Sequence, residues 1–257
     1  MKYIKTFENK IWYKSIKEII EFIDSFKNNT WIFLDTETTG IGGPKKHQLT
    51  QIAAIAYNIH KNQRISLFNQ KIKLTPEIKK VLDEPKGNWS RRRVLSFNHY
   101  GDKIKGKKYL DEQFVLKSFF DWVNKFKNPL FIIQNASFDL EMLYGRYNQY
   151  FKYPVLDTKM LLQLYVIPIY QKLAETENIY KQKLELIGTS SRDFGLISSS
   201  MSKWAPEFGI DMSGYHDALK DCDITIQMFN KMILLFKNNE NLDIRKYQNE
   251  RIKKYKI

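Results

Sequence analysis

Trp31-Ile32-Phe33-Leu34-Asp35-Thr36-Glu37-Thr38-Thr39-Gly40 decides how the rest of the chain is read. Four large apolar residues run straight into two carboxylates and a glycine turn. An apolar run of that length, closed by polar turn residues, predicts a strand buried on both faces. Side chains alternate along a strand, so Asp35 and Glu37, two apart, point to one side. Two like charges at the end of a buried strand repel each other and lose hydration. Either they face water, or something offsets them, and a hard divalent cation is the simplest candidate.

Before this stretch, residues 1–13 read as irregular. Ser15 then stands three residues ahead of Glu18, a capping-box spacing. Ile16, Ile19, Ile20, Ile23 and Phe26 follow at helical intervals, so about 15–27 is expected to be an amphipathic helix covering one side of the core. After it, Gly42-Gly43-Pro44-Lys45-Lys46 makes a flexible basic loop. Gln51 to Tyr57 reads as a second strand. Turn residues at 60–63 lead into a third, from Arg64 to Leu74, so the carboxylate strand has an antiparallel neighbour. Phe114 to Phe126 is a core-facing helix. Leu130 to Ile133 is another buried strand, running into Gln134-Asn135-Ala136-Ser137-Phe138-Asp139 and a helix to about Tyr147. Val155 to Asp157 is a short strand ending in an acid. Helices fill much of 158–187 with a break at Pro168, a short helix covers 198–208, and a long one covers 217–237 with Ile224, Met228, Met232 and Leu235 on one face. This order predicts an α/β fold: one mixed central sheet of about five strands, one antiparallel, flanked by helices.

The 257 residues are 43% hydrophobic and 14% aromatic, a globular and not a disordered composition. The net charge of +14 points to a polyanionic partner. The sole cysteine, Cys222, cannot form an internal disulfide, which fits a reducing compartment. No signal-peptide core precedes the first helix, and the apolar run from Met160 to Tyr170 is too short to span a bilayer. The expectation is a cytoplasmic protein, in the host cytoplasm if the source is a virus. Between 86 and 108, Lys86, Arg91, Arg92, Arg93, Lys103, Lys105, Lys107 and Lys108 face only Asp102, with Trp89, Phe97, Tyr100 and the adjoining Tyr109 interleaved. Cations that meet phosphates and rings that meet bases suit a single nucleic-acid strand; the competing reading is a solvated loop with its rings tucked inward. The last residues, with Arg245, Lys246, Arg251, Lys253, Lys254 and Lys256 against Glu250, read as a solvated basic tail. The division expected is an N-terminal extension over 1–29, a domain over 30–238 carrying the basic insertion at 86–108, and the tail over 239–257.

Acids therefore stand beside buried elements in three places: Asp35 and Glu37, Asp139, and the run Gly214-Tyr215-His216-Asp217-Ala218-Leu219-Lys220-Asp221-Cys222-Asp223. Ligands in α/β sheets gather at the carboxyl ends of strands, where the first two places can converge. His216 and Asp221, five apart, would differ by about 140° on a continuous helix. Both can face one site only if His216 lies on the loop entering the helix, as Gly214 before it suggests. Asp217 and Asp223 compete with Asp221; Asp217 is well placed as an N-cap.

Asp-Thr-Glu-Thr-Thr-Gly, then Asn-Ala-Ser-Phe-Asp about a hundred residues on, then His-x-Ala-x-x-Asp, resemble the three motifs of the DEDDh 3′–5′ exonucleases, a DnaQ-like group on a ribonuclease-H-like fold. The resemblance spans roughly residues 30 to 235. It implies that Asp35, Glu37, Asp139 and Asp221 hold two divalent cations, Mg²⁺ or Mn²⁺, and that His216 is the general base. It also implies that Thr38, Thr39, Gly40 and Ile41 cradle the terminal nucleotide, with Asn135 and Phe138 beside the scissile end. Gln134 stands where many members have His. Arg91, Arg92 and Arg93 have no counterpart there, and are candidate phosphate contacts on charge alone. Asp157 resembles a frequent Asp-Thr of the family, with a structural role equally open.

The function expected is 3′–5′ hydrolysis of single-stranded DNA to nucleoside 5′-monophosphates. RNA trimming is the alternative, and a catalytically inactive nucleic-acid-binding module a weaker one. The implied partners are nucleic acid and a replication or repair protein. No membrane partner is expected, since no extended amphipathic basic helix is present.

Overall fold

The computed structural model describes residues 15–41, 43–83, 109–147 and 151–255. The irregular reading of 1–13, the basic segment 86–108 and Arg91, Arg92 and Arg93 within it lie outside the described residues. In chain order the elements are α1 (Ile16–Asp24), β1 (Thr30–Thr38), β2 (Leu49–Asn58), β3 (Gln63–Lys71), α2 (Pro76–Asp83), α3 (Glu112–Val123), β4 (Pro129–Ile133), α4 (Ala136–Tyr147) and β5 (Val155–Asp157). Then come α5 (Thr158–Leu161), a π-helical turn (Leu162–Val166), α6 (Ile167–Leu173), α7 (Asn178–Ile187), β6 (Thr189–Ser190), a 3₁₀ turn (Ser191–Asp193), β7 (Leu196–Ile197), α8 (Met201–Glu207), α9 (Ala218–Asn238) and α10 (Arg245–Tyr255). The main sheet has the order β3-β2-β1-β4-β5, mixed because β2 and β3 run antiparallel to their neighbours while β4 runs parallel to β1. Among the described residues no helix is long and apolar enough to cross a membrane.

The chain forms two compact units: Asn29–Pro154 with Ser213–Asp223, and Met1–Asn28 with Val155–Met212 and Ile224–Ile257. In the first, β1 is the spine. Trp31, Ile32, Phe33 and Leu34 are all buried, as a strand covered on both faces requires. Its parallel partner β4 stops early: the last matched pair is Leu34 with Ile133. On the other side β2 stays paired through Glu37 with Gln51, where a bulge interrupts the register. Asp35 and Glu37 thus stand where β1 has outrun one neighbour and is bent by a bulge against the other. Phe68 of β3 meets Phe119 and Trp122 of α3, closing the sheet at that side.

In the second unit, the capping box of α1 forms as expected, Ser15 and Glu18 each accepting from the other's backbone. The helix ends at Asp24, earlier than its periodicity suggests, and residues 25–28 form turns. Pro168 does not break the helical stretch. The π-helical turn just before it adds one residue, and the Ile167 N–H bonds five residues back to Leu162, so the chain passes the proline, which has no N–H to donate. The break falls at residues 174–177 instead. On α9 the buried row runs Ile224, Met228, Met232, Phe236; Leu235 is half-buried because the four-residue step from Met232 lands on Phe236.

The expected solvated tail is a correction. Residues 245–255 form helix α10, with Gln248, Arg251 and Ile252 buried. Arg251 donates to the Ile197 carbonyl, and Tyr255 donates to Asp193, which also accepts from Gln163 and from the Ser199 backbone and hydroxyl. Apolar periodicity misses such a helix because charged and amide side chains make its buried contacts.

Candidate active site

Every residue of the site belongs to the first unit. Asp35 and Glu37 lie on one side of β1 by strand alternation. Thr36 between them turns to the other side, and its backbone N–H, without a β4 partner, donates to Oδ1 of Asp139 at 2.9 Å. The Thr36 hydroxyl donates to the same oxygen at 2.6 Å. Asp139 sits in the first turn of α4, at 2% exposure. It is brought there by the tight turn at Asn135, whose φ of +65° is one that asparagine tolerates better than most residues.

The third segment arrives through helix α9. Cys222 is fully buried, and its thiol donates weakly to the carbonyls of Phe33 and Ala53, so the first turn of the helix lies against the backbone of β1 and β2. Ala53 is the register partner of Asp35; its small side chain leaves room for this approach. Burial, followed by the acids around it, pushes the Cys222 thiol well up. Asp217 caps the helix, accepting from the Leu219 N–H at 3.1 Å. Asp223 points elsewhere, to an ion pair with Arg64. His216 lies in the turn before the helix with φ +72°, behind Gly214 at φ +78°. That placement removes the angular separation a continuous helix would impose. The His216 backbone N–H bonds the Asp221 carboxylate.

One atom from each of Glu37, His216 and Asp221 lies within 4.8 Å of the others. Asp35 and Asp139 belong to the same electrostatic cluster. Burial first, then Asp139, Asp221 and Glu37, hold the Asp35 carboxyl well above its usual range. Glu37 is raised by burial, then by Asp221 and Asp139. Asp221 is pushed up to about 7, mainly by burial, with Asp217 and Asp139 adding to it and the His216 N–H opposing. Crowded carboxylates of this kind hold protons or cations. Oδ1 of Asp221 is buried without a hydrogen-bond partner. A carboxylate-rich donor set with an unsatisfied buried oxygen suits a hard divalent cation, Mg²⁺ or Mn²⁺ by ligand type.

The segment after β1 is held from several sides. The Thr38 hydroxyl donates to the Gly40 carbonyl, Thr39 and Gln48 exchange bonds, and Thr39 Oγ1 lies 3.3 Å from His47 Nδ1. A Cβ on Gly40 would stand 2.4 Å from the His47 ring, and its φ is +155°. Ile41 is 82% exposed beside this turn. Further on, Arg146 of α4 pairs with Glu112 and donates to the Pro44 carbonyl at 3.1 Å, while Pro44 packs so close to Gly145 that a Cβ there would stand 2.3 Å away. Phe138 is half-buried on α4. Asp157 N-caps α5 through the Lys159 N–H, a structural task.

Three residues escaped the sequence reading: Thr36, which fixes Asp139, and Gln51 and Lys71, which share the acid side of the sheet. Thr36 was open to view, lying between the two acids. Gln51 and Lys71 become visible only once strand register is known.

The exonuclease family model RNase_T matches residues 32–229. Among curated proteins no sequence matches this chain. Solved structures share the fold. Escherichia coli exonuclease I in complex with a dT13 oligonucleotide is 19% identical with a TM-score of 0.55, over 83% of this chain and 42% of that one. The zinc-ion-bound form of the E. coli ExoI–ssDNA complex is 16% identical, TM-score 0.56, over 82% and 42%. A product-bound structure of exonuclease I is 17% identical, TM-score 0.55, over 82% and 45%. The chain spans less than half the length of these proteins.

Proposed function

Since the chain belongs to this exonuclease family, we propose that it is a metal-dependent 3′–5′ exonuclease acting on single-stranded DNA and releasing nucleoside 5′-monophosphates. The observation that carries the reading is the meeting of Asp35, Glu37, Asp139 and Asp221, from three distant segments, beside the His216 imidazole. The DNA complexes of the structural neighbours and the net charge of +14 support the choice of substrate. The catalytic domain proposed is 30–238, and a replication or repair protein is the partner class it would serve.

In this reading the four acids would hold two divalent cations. When bound, these supply charge stabilisation to the attacking and leaving oxygens of a displacement at phosphorus. The chain's own groups do the rest. His216 takes the proton of the attacking water, a task worth about 10²–10⁴ in rate. The new P–O bond forms as the bond to the 3′ oxygen breaks, and that oxygen leaves with a proton from solvent. The Thr38–Ile41 turn receives the terminal nucleotide, with the exposed Ile41 offering an apolar surface to a base, and Asn135 and Phe138 stand beside the scissile end. Arg91, Arg92 and Arg93 are proposed to track the backbone upstream.

The test is one digestion series. End-labelled single- and double-stranded DNA and RNA are incubated with Mg²⁺, Mn²⁺ or EDTA, and the products sized. Stepwise shortening of single-stranded DNA from its 3′ end to mononucleotides, stopped by EDTA and by Asp35→Asn, is expected. Faster turnover of RNA would move the substrate to the ribonucleotide class. Unchanged turnover in Asp35→Asn would refute the site.

A further inference from the structure

A transverse row runs across the sheet beneath the acids. Glu37 on β1 stands opposite Gln51 on β2, and Gln51 stands opposite Lys71 on β3. Directly opposed residues share a face, so all three belong to the acid side. Lys71 is 2% exposed. Lysine is almost never buried this fully unless paired. Its ammonium is near enough to Glu37 to draw that carboxyl downward against the neighbouring acids. Gln51 between them donates to Asn69 at 2.9 Å and to Asp217 at 3.3 Å, tying the row to the cap of helix α9. The chain around Lys71 is pinned as well: its carbonyl accepts from the Leu110 N–H, and the Lys73 N–H returns to the Leu110 carbonyl.

Resting on the nuclease reading above, we propose that Lys71 is a positioning residue, a resident cation that holds the acid set together without metal and tempers its grip on the ions. Formal charge makes the point. Asp35, Glu37, Asp139, Asp217 and Asp221 act on one another, and Lys71 acts on Glu37. Lys220 acts on Asp221 in the same sense, so five carboxylates meet two ammonium groups and keep a net negative charge for cations to neutralise. Of the two lysines, Lys71 is the buried one, held in the sheet on the side of Glu37, while Lys220 is half-buried on helix α9. Without it the ion-free site would carry more repulsion, and the loaded site would hold its ions more tightly.

Lys71→Met keeps the apolar stem and removes the charge; Lys71→Arg keeps the charge. Full-length proteins are melted in EDTA and in Mn²⁺, and Mn²⁺ binding is measured by titration calorimetry. Lys71→Met is expected to melt lower than wild type in EDTA, to recover most of that loss in Mn²⁺, and to bind Mn²⁺ about tenfold more tightly. Lys71→Arg is expected to follow wild type. If Lys71→Met does not fold, Lys71→Gln gives the same readout. Equal losses in both melts with an unchanged Mn²⁺ affinity would mean a lysine that only packs, and would overturn the proposal. Wild type that binds no Mn²⁺, or binds it equally after Asp35→Asn, overturns the nuclease reading and this one with it.

Discussion

Asp35, Glu37 and Asp221 are all held above the ordinary carboxylate range, burial being the largest cause and mutual repulsion the next. An acid of this kind binds its proton more tightly folded than unfolded. The stability it contributes is complete below the unfolded pKa and is lost as pH rises through the folded one. For Asp221 the window runs from 3.8 to about 7. In EDTA the protein should therefore melt lower at pH 8 than at pH 5.5, and Asp221→Asn should shrink that difference. Melting curves at the two pH values decide it; equal slopes in both proteins would show that Asp221 does not titrate in this window. At this scale the sequence was informative wherever alternation or loop position settles geometry. Two acids two apart on a strand must share a side, and a histidine behind a glycine can precede a helix. It was silent on Lys71 and Gln51, whose nearness to Glu37 depends on how far β2 and β3 slide along β1.

Among the elements, residues 43–47 are held by contacts from α4 as well as by their own turn bonds. Arg146 and Gly145, both on α4, hold Pro44 in place. Gly145→Ala sets two effects against each other. Alanine favours a helix over glycine by about 1 kcal/mol, while its Cβ would drive into the Pro44 ring. The helix gains, so the loop should yield. The expected outcome is an unchanged or raised melting temperature with a several-fold higher KM for oligonucleotide and a kcat close to wild type. Steady-state kinetics alongside a thermal melt separates this from a folding defect. Strand and helix types were legible from apolar periodicity. The passage through Pro168 was not, because a π-helical turn has no compositional mark. Helix α10 was not, because its inward face is built from Gln248, Arg251 and Ile252 and carries little apolar period.

For the molecule as a whole, this helix changes what the basic composition means. Arg251 is buried, Arg245 pairs with Asp243 and Lys246 with Glu175, so three of the tail's cations already have partners in the fold. Burial alone would raise Asp193, but bonds from Ser199 and Tyr255 hold it below the usual carboxylate range. A chain stopped before Arg245 would lose Tyr255 from that carboxylate and uncover the groups beneath Ile252. One buried polar group left unsatisfied costs about 1–3 kcal/mol, and lost apolar burial adds to it. Urea melts of the truncated chain should show a stability loss of at least ~3 kcal/mol; a loss near zero would mean the helix is only an appendage. Cys222 has a different consequence. As the chain's single thiol, sealed against β1 and β2 beside the acid cluster, it is a native reporter. A thiol-reactive dye can mark it only when helix α9 lifts from the sheet, so labelling speed reads how often the N-terminal end of that helix breathes, with no engineered probe.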